Sequence, residues 1–185
     1  MDYVLERLIN APAGHQPAVD TAMILLAWSS EGIFIALAVT WLAISIIRRS
    51  WIESQAALLA LLGSGFALAI NQVISHIWFR PRPFVSHPGT VHVLLSHSRD
   101  ASFPSDHAAA AFAIASLLFW VHRKLGVVAL ILALAICYAR VYVGDHYPGD
   151  VLAGAVVGVL AAVSLGAACH RYEGTIRKLL VARQR

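Results

Sequence analysis

Residues 125–143 read LGVVALILALAICYARVYV, nineteen residues whose only formal charge, Arg140, stands three from the end. At about 1.5 Å per residue a helix of this length covers about 28 Å, close to the hydrocarbon core of a bilayer. Lipid offers backbone N–H and C=O groups no partner, so such a run must bond within itself as a helix. Four more segments share its character, at 21–47, 56–78, 105–121 and 151–169. The expected fold is therefore all-α, a polytopic membrane helix bundle of about five transmembrane helices. Ahead of them, residues 1–20 mix Val4, Leu5, Leu8 and Ile9 with Asp2, Glu6 and Arg7, then break at Pro12, Gly14 and Pro17, the pattern of a short interfacial helix. They lack the basic start, apolar stretch and small-residue cleavage pattern of a signal peptide. The organisation read from this is one membrane domain, 1–185, with an interfacial segment at 1–20, an outer loop at 79–104 and a basic cytoplasmic tail at 170–185.

Of the 185 residues 59% are hydrophobic and 13% charged, a balance that a water-soluble chain of this size cannot bury. That excludes a soluble enzyme, a nucleic-acid module and a disordered tail. Lys and Arg number 14 against 10 Asp and Glu, a net +4. No basic block interleaved with aromatics accompanies it, so the charge orients the protein in a membrane and does not point to nucleic acid. Arg48, Arg49, Arg123, Lys124, Arg171, Arg177, Lys178, Arg183 and Arg185, nine of the fourteen basic residues, fall on ends that five crossings put on one side. The positive-inside rule makes that side cytoplasmic and turns the loops 79–104 and 143–150 outward. Cys137 and Cys169 lie in apolar runs and read as small buried hydrophobes, with neither a disulfide framework nor metal spacing.

The loop at 79–104 holds four prolines, three histidines and three arginines, and a connection this long in a compact membrane protein points to function. Three polar clusters face outward with it: Arg80-Pro81-Arg82-Pro83, Pro104-Ser105-Asp106-His107, and the stretch from Arg140 to Asp150. Pro104 and Pro148 suit first-turn positions of helices, where proline loses no intrahelical bond. Two helix N-termini and three arginine forks then converge on one region, a site for a phosphate or diphosphate. Asp150 stands one helical turn from His146, close enough to accept its ring N–H, fix the tautomer and sharpen the other nitrogen as a nucleophile. His107 would serve as the second acid/base group, protonating the leaving oxygen and then activating water. With no carboxylate cluster of metal-binding type beside them, the arginines and helix ends are left to stabilise the transferring phosphoryl group, and neither metal nor cofactor is expected.

Arg82-Pro83, then Pro104-Ser105-Asp106-His107, then Arg140-x5-His146-x3-Asp150 resemble the three-part signature of the type 2 phosphatidic acid phosphatases, a superfamily of helical membrane lipid phosphatases that also includes soluble haloperoxidases. The resemblance spans about residues 75–150. It implies that His146 is the nucleophile, Asp150 its partner, His107 the general acid/base, and Arg82, Ser105 and Arg140 phosphate ligands. The wording Pro-Arg-Pro-Phe, Phe-Pro-Ser-Asp-His and Asp-His-Tyr-Pro-Gly-Asp is similar to undecaprenyl-diphosphatases of the bacitracin-resistance type, which recycle the lipid carrier of bacterial wall synthesis on the outer side of the inner membrane. Three positions depart from the superfamily pattern. Ser75 stands where a lysine is usual, Asp106 where a glycine is usual, and Ala139 where a serine precedes the third-motif arginine. Arg80 is the natural substitute for the missing lysine, as a further phosphate ligand. Asp106 either holds an arginine or caps the third helix.

The remaining polar residues read as follows. Glu31, about ten residues into the first span, either pairs with Arg80 or Arg140 as a support to the site or lies at the interface. His15, His76, His122 and His170 read as structural or interfacial, and His87, His92 and His97 as a solvated or headgroup-facing loop, since their spacing lacks a carboxylate or thiol to complete a zinc site. Gly154-x3-Gly158 is a close-packing signal between helices. Trp28, Trp41, Trp51, Trp78 and Trp120 fall near span ends, as interfacial anchors do. The expected activity is hydrolysis of undecaprenyl diphosphate to the monophosphate through a phosphohistidine. Phosphatidylglycerophosphate, phosphatidic acid or lipid A are alternative substrates, and a non-catalytic lipid transporter is the alternative of another class. The expected partners are a polyprenyl diphosphate and membrane lipids, and nothing in the sequence sets an oligomeric state.

Overall fold

The computed structural model describes residues 1–95 and 100–182, with side chains described as far as Cys169. His97 and the side chains of the 170–185 tail, Arg171, Arg177, Lys178, Arg183 and Arg185 among them, therefore lie outside the described residues. Among the described residues seven helices follow in order: α1 Asp2–Asn10, α2 Pro17–Ile47, α3 Trp51–Ile77, α4 Pro83–Ser86, α5 Asp106–Val121, α6 Arg123–Tyr142 and α7 Pro148–Ala182. Of these, α2, α3, α6 and the Pro148–Cys169 part of α7 are long and apolar enough to cross a membrane. The bundle is all-helical, as expected, and multi-pass. The expected third span differs from its neighbours: α5 has 16 residues, about 24 Å of helix.

Packing explains how a short helix suffices there. It contacts α2, α3, α6 and α7 and buries Ala108, Ala109, Ala111, Ala113, Ile114, Ala115, Leu117 and Leu118. Small residues on several faces let neighbouring backbones come close, which is how helices gain contact where lipid supplies no hydrophobic drive. The glycines of α7 complete this fit. A Cβ on Gly154 would stand 2.3 Å from the Ser105 carbonyl oxygen, and one on Gly158 2.2 Å from that of Ala109. The surrounding helices turn apolar stripes outward: Ile35 and Val39 on α2, Leu58, Leu62 and Phe66 on α3, Val128, Ile131 and Leu134 on α6, Leu152, Val156 and Leu160 on α7, all exposed. Their three- and four-residue spacing marks one face of each helix as lipid-facing.

Two expectations of detail change. Pro148 does open α7, but Pro104 precedes α5, whose cap is Ser105 and first residue Asp106. Trp41 is buried and packs against His122, unlike the exposed Trp28, Trp51, Trp78 and Trp120. At the end of the bundle where α2 meets α3 and α5 meets α6, Glu53 pairs with His122 at 3.5 Å. The polar clusters gather at the opposite end. There the Ser105 amide donates to the Asp150 carbonyl at 3.0 Å, joining the starts of α5 and α7, and the Ser102 amide donates to the Arg80 carbonyl at 2.8 Å.

Candidate active site

His146 sits in the short link between α6 and α7. Gly144 makes the reversal possible: its φ is +83°, and a Cβ there would stand 2.8 Å from the His92 carbonyl oxygen. The amides of Asp145 and His146 both donate to the Arg140 carbonyl, at 3.2 and 3.3 Å, which folds the link over the end of α6. The imidazole is buried, with Nδ1 at 2.9 Å from the Ser102 carbonyl oxygen. Because a carbonyl only accepts, Nδ1 carries the proton and the Nε2 lone pair is left as an acceptor. Nε2 lies 3.5 Å from Arg82 Nη1. The imidazole borders a cavity of 280 Å³, whose wall also includes Arg82, His107, Asp106, Ser75 and Glu31.

Asp150 does not make the hydrogen bond to His146 that their spacing suggests. Its Oδ2 stands 3.7 Å from Nδ1 and accepts instead from the Tyr147 amide at 2.9 Å, while Oδ1 takes Arg80 Nη1 at 2.7 Å. A carboxylate in the first turn of α7 is drawn to the open amides of its own helix end, and the Ser102 carbonyl fills the place beside the imidazole. Arg80 is likewise engaged. Besides Asp150 it pairs with Asp2 at 2.7 Å, its guanidinium lies 3.9 Å over the Tyr147 ring, and it is not among the residues bordering the cavity. Burial pushes the Tyr147 phenol up from its ordinary value, so the ring stays neutral beneath that cation.

Two buried arginines share one carboxylate that the sequence reading missed. Arg82 Nη1 donates to Asp145 Oδ1 at 2.6 Å and Arg140 Nη2 donates to Asp145 Oδ2, with all three residues buried. Arg82 also binds Asp100 through Nε at 2.8 Å. The available signal was the rule that buried guanidinium groups need a carboxylate partner, with Asp145 beside the motif histidine. Arg140 stands behind Asp145, away from the cavity wall, and its Nε has no partner among the described residues. Ser105 Oγ is also buried and unpartnered among them, and Ser105, at the start of α5, does not border the cavity.

Among the described residues Asp106 holds no arginine, and the cap of α5 is Ser105. It accepts from Asn71 Nδ2 at 2.8 Å and Gln72 Nε2 at 3.4 Å, which ties α5 to α3. Ser75, one turn below, donates to the Gln72 carbonyl at 3.0 Å. Glu31 is exposed on the cavity wall and forms no ion pair with Arg80 or Arg140. Among the described residues no group of three His, Cys, Asp or Glu is arranged to hold a metal ion.

A helical membrane bundle that brings two histidines and an arginine to one cavity, with two further arginines and an unpartnered serine hydroxyl close behind, is built for phosphoryl transfer at a membrane. The chain belongs to the PAP2 superfamily, whose family model matches residues 56–174. It is thus a membrane phosphatase of that superfamily. It is 35% identical over 160 residues to undecaprenyl-diphosphatase BcrC of Bacillus subtilis (strain 168), covering 86% of this chain and 80% of that protein. To the putative undecaprenyl-diphosphatase YbjG of Escherichia coli (strain K12) it is 32% identical, over 85% of this chain and 77% of that one. Among solved structures, Aquifex aeolicus LpxE superposes with a TM-score of 0.72 at 27% identity, covering 89% of this chain and 93% of that chain.

Proposed function

We propose that the protein hydrolyses undecaprenyl diphosphate to undecaprenyl phosphate and inorganic phosphate, with His146 as nucleophile. The observation that carries this reading is the fixed tautomer of His146: Nδ1 is committed to the Ser102 carbonyl, leaving the Nε2 lone pair beside Arg82. Nε2 attacks the terminal phosphorus, and the bond from that phosphorus to the bridging oxygen breaks. His107 gives its proton to the departing monophosphate. His107 then takes a proton from water, whose oxygen attacks the phosphohistidine and returns Nε2 to its starting state. Arg82 receives the phosphoryl oxygens at the cavity wall, Ser105 Oγ stands behind that wall at the start of α5, and Arg140 acts through Asp145. Asp150 steadies the imidazolium electrostatically, and no cofactor is called for. Names borne by two relatives over most of their length support the diphosphate substrate. The placement of nine of fourteen basic residues supports a site on the outer face of a bacterial cell membrane.

The test is phosphate release by detergent-purified protein with EDTA present, comparing undecaprenyl diphosphate, phosphatidic acid and phosphatidylglycerophosphate. Preference for the diphosphate, abolished in His146→Ala and lowered about 10²- to 10⁴-fold in His107→Ala, is the expected result. Preference for a phospholipid monoester would overturn the substrate, and turnover surviving in His146→Ala would overturn the nucleophile.

A further inference from the structure

The N-terminal helix is more than an amphipathic stretch resting on the bilayer. Asn10 Nδ2 donates to the carbonyls of His92 and Tyr142, at 2.9 and 2.7 Å, and Asn10 Oδ1 accepts from the His92 amide at 2.8 Å. At the other end Tyr3 stacks on His87 with 3.6 Å between ring centroids, and its hydroxyl bonds Thr90 Oγ1 at 2.8 Å. Asp2 is thereby held at the mouth of α7. One of its oxygens accepts from the Gly149 amide at 2.9 Å, and the other takes Arg80 Nη2 at 2.7 Å. Arg80 passes the constraint on through Nη1 to Asp150, which stands 3.7 Å from His146 Nδ1.

We propose that Asp2 is a positioning residue for hydrolysis: it anchors Arg80 over Tyr147, and Arg80 in turn holds the Asp150 carboxylate beside His146. This rests on the reading of His146 as nucleophile. Without Asp2, the guanidinium, whose side chain is 28% exposed, loses one of its two carboxylates and is free to swing toward water. Asp150 then loses a fixed partner. Asp2 lies in the N-terminal segment, outside the residues that match the family model, while Arg80 and Asp150 lie within them. Neither Asp2 nor Arg80 borders the cavity, so the effect falls on kcat and leaves KM alone.

A double-mutant cycle on purified full-length protein tests this, with undecaprenyl diphosphate as substrate and His146→Ala as control. Asp2→Asn is expected to lower kcat about tenfold, a size ordinary for coupled contacting charges, with KM changed less than about twofold. Combined with Arg80→Gln it should lower kcat no further than Arg80→Gln alone, because both changes cut one chain. Effects that multiply would mean that Asp2 acts only by docking α1. Unchanged kcat in Asp2→Asn, or a raised KM in Arg80→Gln, would also overturn the proposal. Turnover surviving in His146→Ala would instead overturn the underlying reading. Should Asp2→Asn not yield folded protein, Arg80→Lys, which keeps the charge without the fork, is read in the same way: kcat lost at constant KM supports the chain, and kcat retained overturns it.

Discussion

Arg82 and Arg140 converge on Asp145 in a part of the molecule that water hardly reaches. Removing one member of a buried charge set costs more than the pair contributes, because the remaining charges stay desolvated. Asp145→Asn is therefore expected to destabilise the protein by about 3–5 kcal/mol, read from unfolding in detergent. Asp100, whose side chain is 57% exposed, is the contrasting case, and Asp100→Asn should cost less than about 1 kcal/mol in the same measurement. The motif residues were legible in the sequence because each motif is a short local pattern, and His146, His107 and Arg82, one from each, border one cavity. Asp145 was not, although it is the neighbour of His146, since its role depends on an arginine 63 positions away. The geometry of Asp150 was also out of reach, because the competitor for the imidazole N–H is a backbone carbonyl, from Ser102, and carbonyls leave no mark in a sequence.

At the scale of helices, the contact of α5 with α7 sets the distance between Ser105 and His107 on one side and Asp150 on the other. Gly158→Ala forces a methyl into the Ala109 carbonyl and should cost about 1–3 kcal/mol together with activity. Gly32→Ala on α2, with nothing within 4 Å of the new Cβ, should be neutral or stabilising by up to about 1 kcal/mol. Helix α1 carries a different test. Glu6 is fully buried, its carboxyl has no hydrogen-bond partner among the described residues, and burial pushes its pKa from 4.5 to about 7. Between those two values the folded protein holds a proton that the unfolded chain has released, so stability declines as pH rises through that window. Glu6→Gln should remove this part of the pH dependence, seen as a difference in melting temperature from the parent that widens from pH 4 to pH 8. Apolar length revealed the spans, and the glycine pair revealed the α5–α7 contact. The anchoring of α1 was hidden, since Asn10 and Tyr3 meet their partners more than 80 positions later.

For the molecule as a whole, every long helix rests on α5, so no part of the bundle can open without exposing the central helix. Helical signal and activity should accordingly be lost in one transition on heating, and two separated steps would show that the helices fold independently. The shortness of α5 has a further effect on the chemistry. Its far end is fixed where α6 begins, at His122 and Arg123, while α3 runs for 27 residues against its 16. The cavity borders the first turn of α5, at Asp106 and His107, and the last turns of α3, at Gln72 and Ser75. A lipid chain drawn out of hydrocarbon into water would lose about 0.8 kcal/mol for each methylene exposed. With the reacting groups at these helix ends, the phosphate end of a lipid can be engaged while its tail stays dissolved in the membrane.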